Sequence, residues 1–157
     1  MDLQPVVDEI AATLRPQAGL QGQQGQVASY IPALARVRAD QFGIALRTCD
    51  GTEAVAGDCD TLFSIQSISK LFSLTLCLQL IGDTLWQRVG REPSGNPFNS
   101  LVQLENEQGK PRNPFINAGA IAVADRLVSQ GRTEADLVAM LSNLAATTID
   151  IDEEVAA

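Results

Sequence analysis

Leu3, Val6, Val7, Ile10, Ala11 and Leu14 recur at steps of three and four, which puts apolar side chains on one face of a helix. Pro16 and Gly19 are expected to close that run. Residues 19–26, rich in Gly and Gln, read as a flexible loop. Ile31 precedes Pro32, whose ring disfavours helical backbone in the residue before it, so Ile31 is expected to be extended and Tyr30 displayed at a turn. The chain then turns strand-like at residues 42–46 and again at 53–57, with the tight-turn pair Asp50-Gly51 between them, which predicts an antiparallel hairpin. From 64 to 81 the sequence is apolar on every side of a helix rather than along one stripe, and this predicts a helix buried in a helical layer, followed by another at 83–89.

Residues 91–117 change character. Pro93, Gly95, Pro97, Gly109, Pro111 and Pro114 leave room only for a short helix at 100–107, and loops of this length in compact proteins are usually functional or disordered. Helix resumes at 119–128 and ends at Gly131, and Thr133-Glu134-Ala135-Asp136 forms a capping-box-like start to a last helix reaching about residue 144.

With 157 residues, 45% of them hydrophobic, the chain can bury a core and form one or two compact units. Its 19 acidic and 11 basic residues give a net charge of −8, with no basic cluster to meet a phosphate backbone, which argues against a nucleic-acid partner. Cys49, Cys59 and Cys77 are odd in number and contain no C-x-x-C pair, so neither a disulfide framework nor a zinc site is indicated and a reducing cytoplasm is expected. The N-terminus has no basic segment followed by an apolar core. The longest apolar stretch, 71–81, is about half a membrane span, so no membrane partner is expected.

Candidate chemistry lies in the all-apolar helix. Lys70 is the one charged residue between Asp60 and Asp83, and Ser67 stands three positions before it. A spacing of three places both on one helical face, close enough for the amine to take the hydroxyl proton. The chain has no histidine, so a serine nucleophile here needs another base, and lysine is available. Two readings stand on spacing alone. Ser67 caps a helix while Lys70 snorkels to solvent, or the two form a nucleophile and base at a helix start whose backbone N–H groups suit an oxyanion. Asn117 likewise either caps the helix after it or hydrogen-bonds a substrate.

The run Phe63-Ser64-Ile65-Gln66-Ser67-Ile68-Ser69-Lys70, preceded by Tyr30-Ile31-Pro32, resembles the serine-dependent glutaminases of bacterial type. Trp86-Gln87-Arg88-Val89-Gly90, Pro93-Ser94-Gly95-Asn96-Pro97-Phe98-Asn99-Ser100 and Pro111-Arg112-Asn113-Pro114-Phe115-Ile116-Asn117-Ala118-Gly119-Ala120-Ile121 are similar to the same family. The resemblance implies an α+β fold like that of serine β-lactamases and penicillin-binding proteins, an antiparallel sheet flanked by helices plus a mostly helical region. Residues 1–62 would contribute a helix and hairpin to the sheet layer, and 63–157 the helical region with the Ser-x-x-Lys helix.

It implies hydrolysis of L-glutamine to L-glutamate and ammonia through an acyl-enzyme, with no cofactor, in a homo-oligomer. By position, Ser67 would be the nucleophile, Lys70 its base or proton relay, Tyr30 a contact to substrate or leaving group, Gln66 a pocket wall and Asn117 a substrate ligand. Further strands, an acidic substrate ligand and an oxyanion-hole strand would lie beyond residue 157, so the chain by itself is expected to be inactive. Another acyl hydrolase of the same fold and a non-catalytic interaction module are the alternatives. The Asn-Pro-Phe-Ile-Asn stretch, unlike the Ser-Asp-Asn pattern of β-lactamases, disfavours the first.

Overall fold

The computed structural model describes residues 2–18, 27–99, 105 and 107–156, and the side chains of all of these except 16–18. The expected loop at 19–26 and most of the expected short helix at 100–107 lie outside them. The chain forms two compact units, Met1–Ser64 with Asp152–Ala157, and Ile65–Ile151.

In the first unit, helix α1 (Gln4–Ala18) lays its apolar face on a two-stranded sheet. Val7 and Ala11 are buried there with Ala54 of the hairpin. The helix ends at Ala18, directly before Gly19, two residues past Pro16. A proline loses the bond its own N–H would make to the fourth carbonyl back and crowds that carbonyl with its ring, so a helix continues only briefly past it. Ile31 is extended at φ −119, ψ 121, as the following proline requires, and Pro32 opens the short helix α2 (Pro32–Ala35). A four-residue helix at Glu153–Ala156 packs on α2, where Arg36 pairs with Glu154.

Strands β1 (Gly43–Arg47) and β2 (Glu53–Gly57) are antiparallel, with Ala45 opposite Val55. Gly51 in the turn has φ +88, a backbone that L side chains rarely adopt, which accounts for the Asp-Gly pair. The Gln4 side chain receives the Val55 N–H at 3.2 Å and donates to the Val55 carbonyl at 2.8 Å, so one amide stands in for a neighbouring strand at this point of β2's outer edge.

The second unit begins with a 3-10 turn, Gln66–Ile68, that leads into α3 (Ser69–Ile81). Leu74 and Cys77 of α3 meet Leu85, Val89 and, from α4 (Asn117–Ser129), Val123 and Leu127. Each fully buried aliphatic side chain in such a cluster contributes about 1.5–3 kcal/mol. Burial pushes the Cys77 thiol above its ordinary range, and Cys49, Cys59 and Cys77 are all free.

The expectation of burial all round α3 is not met, since only Leu74 and Cys77 are buried on it. Helix α4 covers one side, and the remaining apolar residues are half-buried or, as Leu71 is, exposed. The segment expected to be a helix at 83–89 is a 3-10 stretch, Gly82–Gln87. Gly82 at φ +54 breaks α3, and Thr84 then satisfies the Ile81 carbonyl through its hydroxyl at 2.6 Å. Gln66–Gln87, 22 residues, reaches the length and composition of a membrane-crossing helix, more than the half-span expected. The α-helical part is 13 residues, about 20 Å against the ~30 Å of a bilayer core.

Helix α5 (Glu134–Ala145) carries the expected capping box. Asp136 accepts from the Thr133 N–H at 2.8 Å and from Arg132 at 3.0 Å, which together hold its carboxyl below the usual range, the backbone contribution being the larger. A carboxyl depressed in the folded state stabilises above its unfolded value and loses that contribution as pH falls through the folded one. Amide resonances of Thr133 to Leu137 are therefore expected to hold steady down to about pH 4 and move below it, and Asp136→Asn to abolish that transition.

Helix α4 approaches the preceding loop at Gly119, where an added Cβ would lie 1.8 Å from the Asn113 carbonyl oxygen and 2.9 Å from Pro114 Cα. Both are backbone atoms that cannot swing aside. Gly119→Ala is expected to lower stability in a thermal melt by about 1–3 kcal/mol or more, whereas Gly95→Ala, in open space, should stay within about 0.5 kcal/mol.

Candidate active site

Ser67 is exposed at the middle of the 3-10 turn Gln66–Ile68. It does not cap α3, because the cap position is Ile68 and no side chain fills it. Gln66, half-buried beside it, has φ +45, a left-handed backbone that a residue with a Cβ adopts at a cost of about 1–2 kcal/mol. The Ser69 N–H closes the turn on the carbonyls of Gln66 and Ser67. The serine is thus presented on a strained corner directly before the helix that carries Lys70.

Lys70 is half-buried in the first turn of α3 and does not snorkel to solvent. Its amine donates to Asn117 Oδ1 at 2.7 Å and to the Phe115 carbonyl at 3.1 Å, and it lies 5.7 Å from the centroid of the Phe98 ring. The Ser67 hydroxyl is not among the partners described for it, although the two residues share one turn of chain. None of the ion pairs among the described residues involves Lys70.

These partners decide what the amine can do. A neutral amine has two N–H bonds and one lone pair. Two oxygen acceptors occupy both N–H bonds, and the lone pair remains to accept a proton. Because the acceptors are uncharged, proton exchange at Nζ breaks no salt bridge.

Asn117 opens α4, and the cap before it is Ile116 at φ −70, ψ 155 with no side-chain bond. The helix-capping reading of Asn117 therefore fails. Its side chain reaches Lys70, and its own N–H donates to the Phe98 carbonyl at 2.8 Å. The structure thus joins Lys70 to Asn117 and places Ser67 and Gln66 on the adjacent turn. Tyr30 belongs to the first unit, where it is 76% exposed at the bend before α2.

Phe98, the Phe115 carbonyl and Asn113 were not marked as site residues by motif reading. A signal was present, because Asn-Pro-Phe occurs twice, at 96–98 and 113–115, and both copies supply a contact to Lys70. Among the described residues no group of three His, Cys, Asp or Glu could hold a metal.

The glutaminase sequence family matches residues 25–157. A glutaminase of Azorhizobium caulinodans is 56% identical over 158 residues, covering 98% of this chain and 50% of that protein. One from Methylobacterium sp. (strain 4-46) is 54% identical over 160 residues, covering 99% and 50%. Among solved structures, a probable glutaminase from Bacillus subtilis superposes with a TM-score of 0.77 at 33% identity, covering 97% of this chain and 46% of that one. The Bacillus subtilis protein complexed with 6-diazo-5-oxo-L-norleucine gives 0.75 at 32%, covering 99% and 46%. The chain belongs to the glutaminase family, with an α+β arrangement of β-lactamase-like type. It spans about half the length of the curated relatives it matches.

The bond between Lys70 and Asn117 should be measurable in the absence of any substrate. In a double-mutant cycle of Lys70→Met and Asn117→Ala, followed by urea unfolding, the coupling is expected to be about 1 kcal/mol, as suits one hydrogen bond in a half-buried setting. A coupling near zero would show that the contact carries no stability.

Proposed function

We propose that the chain supplies the nucleophile and base of an enzyme that hydrolyses L-glutamine to L-glutamate and ammonia. The observation that carries this reading is the Lys70 amine, held by two neutral acceptors one turn from an exposed serine on a strained corner, in a chain of the glutaminase family. Ser67 Oγ gives its proton to Lys70 Nζ and attacks the side-chain amide carbon of glutamine. The tetrahedral intermediate collapses as the protonated lysine returns the proton to the leaving nitrogen, releasing ammonia and leaving a glutamyl ester on Ser67. Water, deprotonated by the same amine, then hydrolyses the ester and restores both groups.

Asn117 serves twice in this scheme. Its oxygen holds the lysine, and its NH₂ stays available to a carbonyl or carboxylate of the amino acid. Gln66 forms a wall beside the serine, and Tyr30 contacts substrate or leaving group. The complex of the Bacillus subtilis relative with 6-diazo-5-oxo-L-norleucine supports an amino-acid ligand of glutamine's length.

Substrate clamps and an oxyanion hole are needed besides nucleophile and base, and this chain spans half of its relatives' length. The chain alone is therefore expected to turn over glutamine below detection. The complete enzyme is taken to be a cytoplasmic homo-oligomer, on its cysteine usage and the family resemblance.

Ammonia release tests the scheme. In the polypeptide completed to the relatives' length, Ser67→Ala and Lys70→Ala are each expected to lower the rate by about 10³-fold or more, because nucleophile and base act as one unit. Near-normal turnover in either variant would remove the mechanism. A rate from residues 1–157 alone equal to that of the completed polypeptide would show that the clamps have been misplaced.

A further inference from the structure

Lys70's two acceptors stand on a short piece of chain, one of them a backbone carbonyl, and what fixes that piece is a side chain outside the proposed chemistry. Asn113 Oδ1 accepts the N–H of Phe115 at 3.0 Å and of Ile116 at 3.1 Å, and its Nδ2 donates to the Glu92 carbonyl at 3.0 Å. One amide thus closes the 113–116 turn and ties it to the strap at 90–92. That strap is itself held by Gly90 N–H to the Pro111 carbonyl at 2.7 Å and Glu92 N–H to the Arg112 carbonyl at 2.9 Å. Pro114 and Ile116, flanking Phe115, are buried, and Gly119 lets α4 press directly on the Asn113 backbone.

We propose that Asn113 is a positioning residue for Lys70: by closing this turn it sets the Phe115 carbonyl and Asn117 Oδ1 at the spacing that occupies both N–H bonds of the neutral amine, and so aims its lone pair. The proposal rests on the reading of Lys70 as the base, but the holding of the amine can be tested without turnover. Without the turn, the Phe115 carbonyl is free to rotate away, and the amine keeps Asn117 alone. Asp at 113 retains the Oδ1 acceptor for both N–H groups and loses only the donor to Glu92, so the cap survives in that variant.

The chain contains two lysines, and the second is an internal reference. Lys110 is exposed, and its amine donates to the Trp86 carbonyl at 2.9 Å. Brief treatment of the folded chain with acetic anhydride, followed by digestion and mass spectrometry, reads the acylation rate of Lys70 relative to Lys110. Asn113→Ala is expected to raise that ratio roughly fivefold to tenfold, as the loss of about one net hydrogen bond at the amine implies, with Asn117→Ala giving a similar rise. Asn113→Asp should return it to the wild-type value.

An unchanged ratio in a folded Asn113→Ala protein would overturn the proposal, as would a raised ratio in Asn113→Asp. If Asn113→Ala has no cooperative melt, Asn113→Asp decides alone: a wild-type ratio supports the positioning role, and a ratio like that of Asn117→Ala refutes it. Failure of the glutaminase scheme would appear as ammonia release insensitive to Ser67→Ala, a result that leaves the acylation ratio untouched.

Discussion

One ammonium-bearing side chain organises the second unit. Lys70 enters a helix that is apolar on every side, and an amine in such a place must be solvated by the protein or reach water. It is solvated by the Phe115 carbonyl, the Asn117 side-chain amide and the aromatic face of Phe98. Phe98, Phe115 and Asn117 thus all meet one nitrogen.

Much of this was legible in the residues. Helical spacing located α1, and Asp50-Gly51 located the hairpin, because turn geometry demands a residue that tolerates a positive φ at Gly51. Thr133 and Asp136 announced α5, since a capping box is a purely local device. The Ser67–Lys70 spacing and the absence of histidine drew attention to the turn that leads into α3.

What was not legible depends on distance along the chain. All-round hydrophobicity in 64–81 read as burial, yet hydrophobicity reports what a helix can bury and not which neighbours stand against it. Helix α4, helix α5 and the 82–87 stretch pack on α3, and Leu71 and Gln79 stay exposed. Asn117 read equally well as a cap, because its role depends on a contact 47 residues away in sequence. Asn113 and Phe98 gave no local sign of their work either, apart from the repeated Asn-Pro-Phe. Proline at the second position of each copy stiffens the backbone that delivers the contact.

The left-handed Gln66 carries a further implication. A corner held against its own preference, worth about 1–2 kcal/mol, is a small energy store whose release favours any conformation in which the turn relaxes. Opening of the segment around Ser67 is made easier by that amount, while the helix behind it, seated through Leu74 and Cys77, gains nothing by moving. Adaptability in this unit is therefore concentrated at the serine and withheld from the lysine. The corner can yield while the Lys70 amine stays where Phe115 and Asn117 hold it.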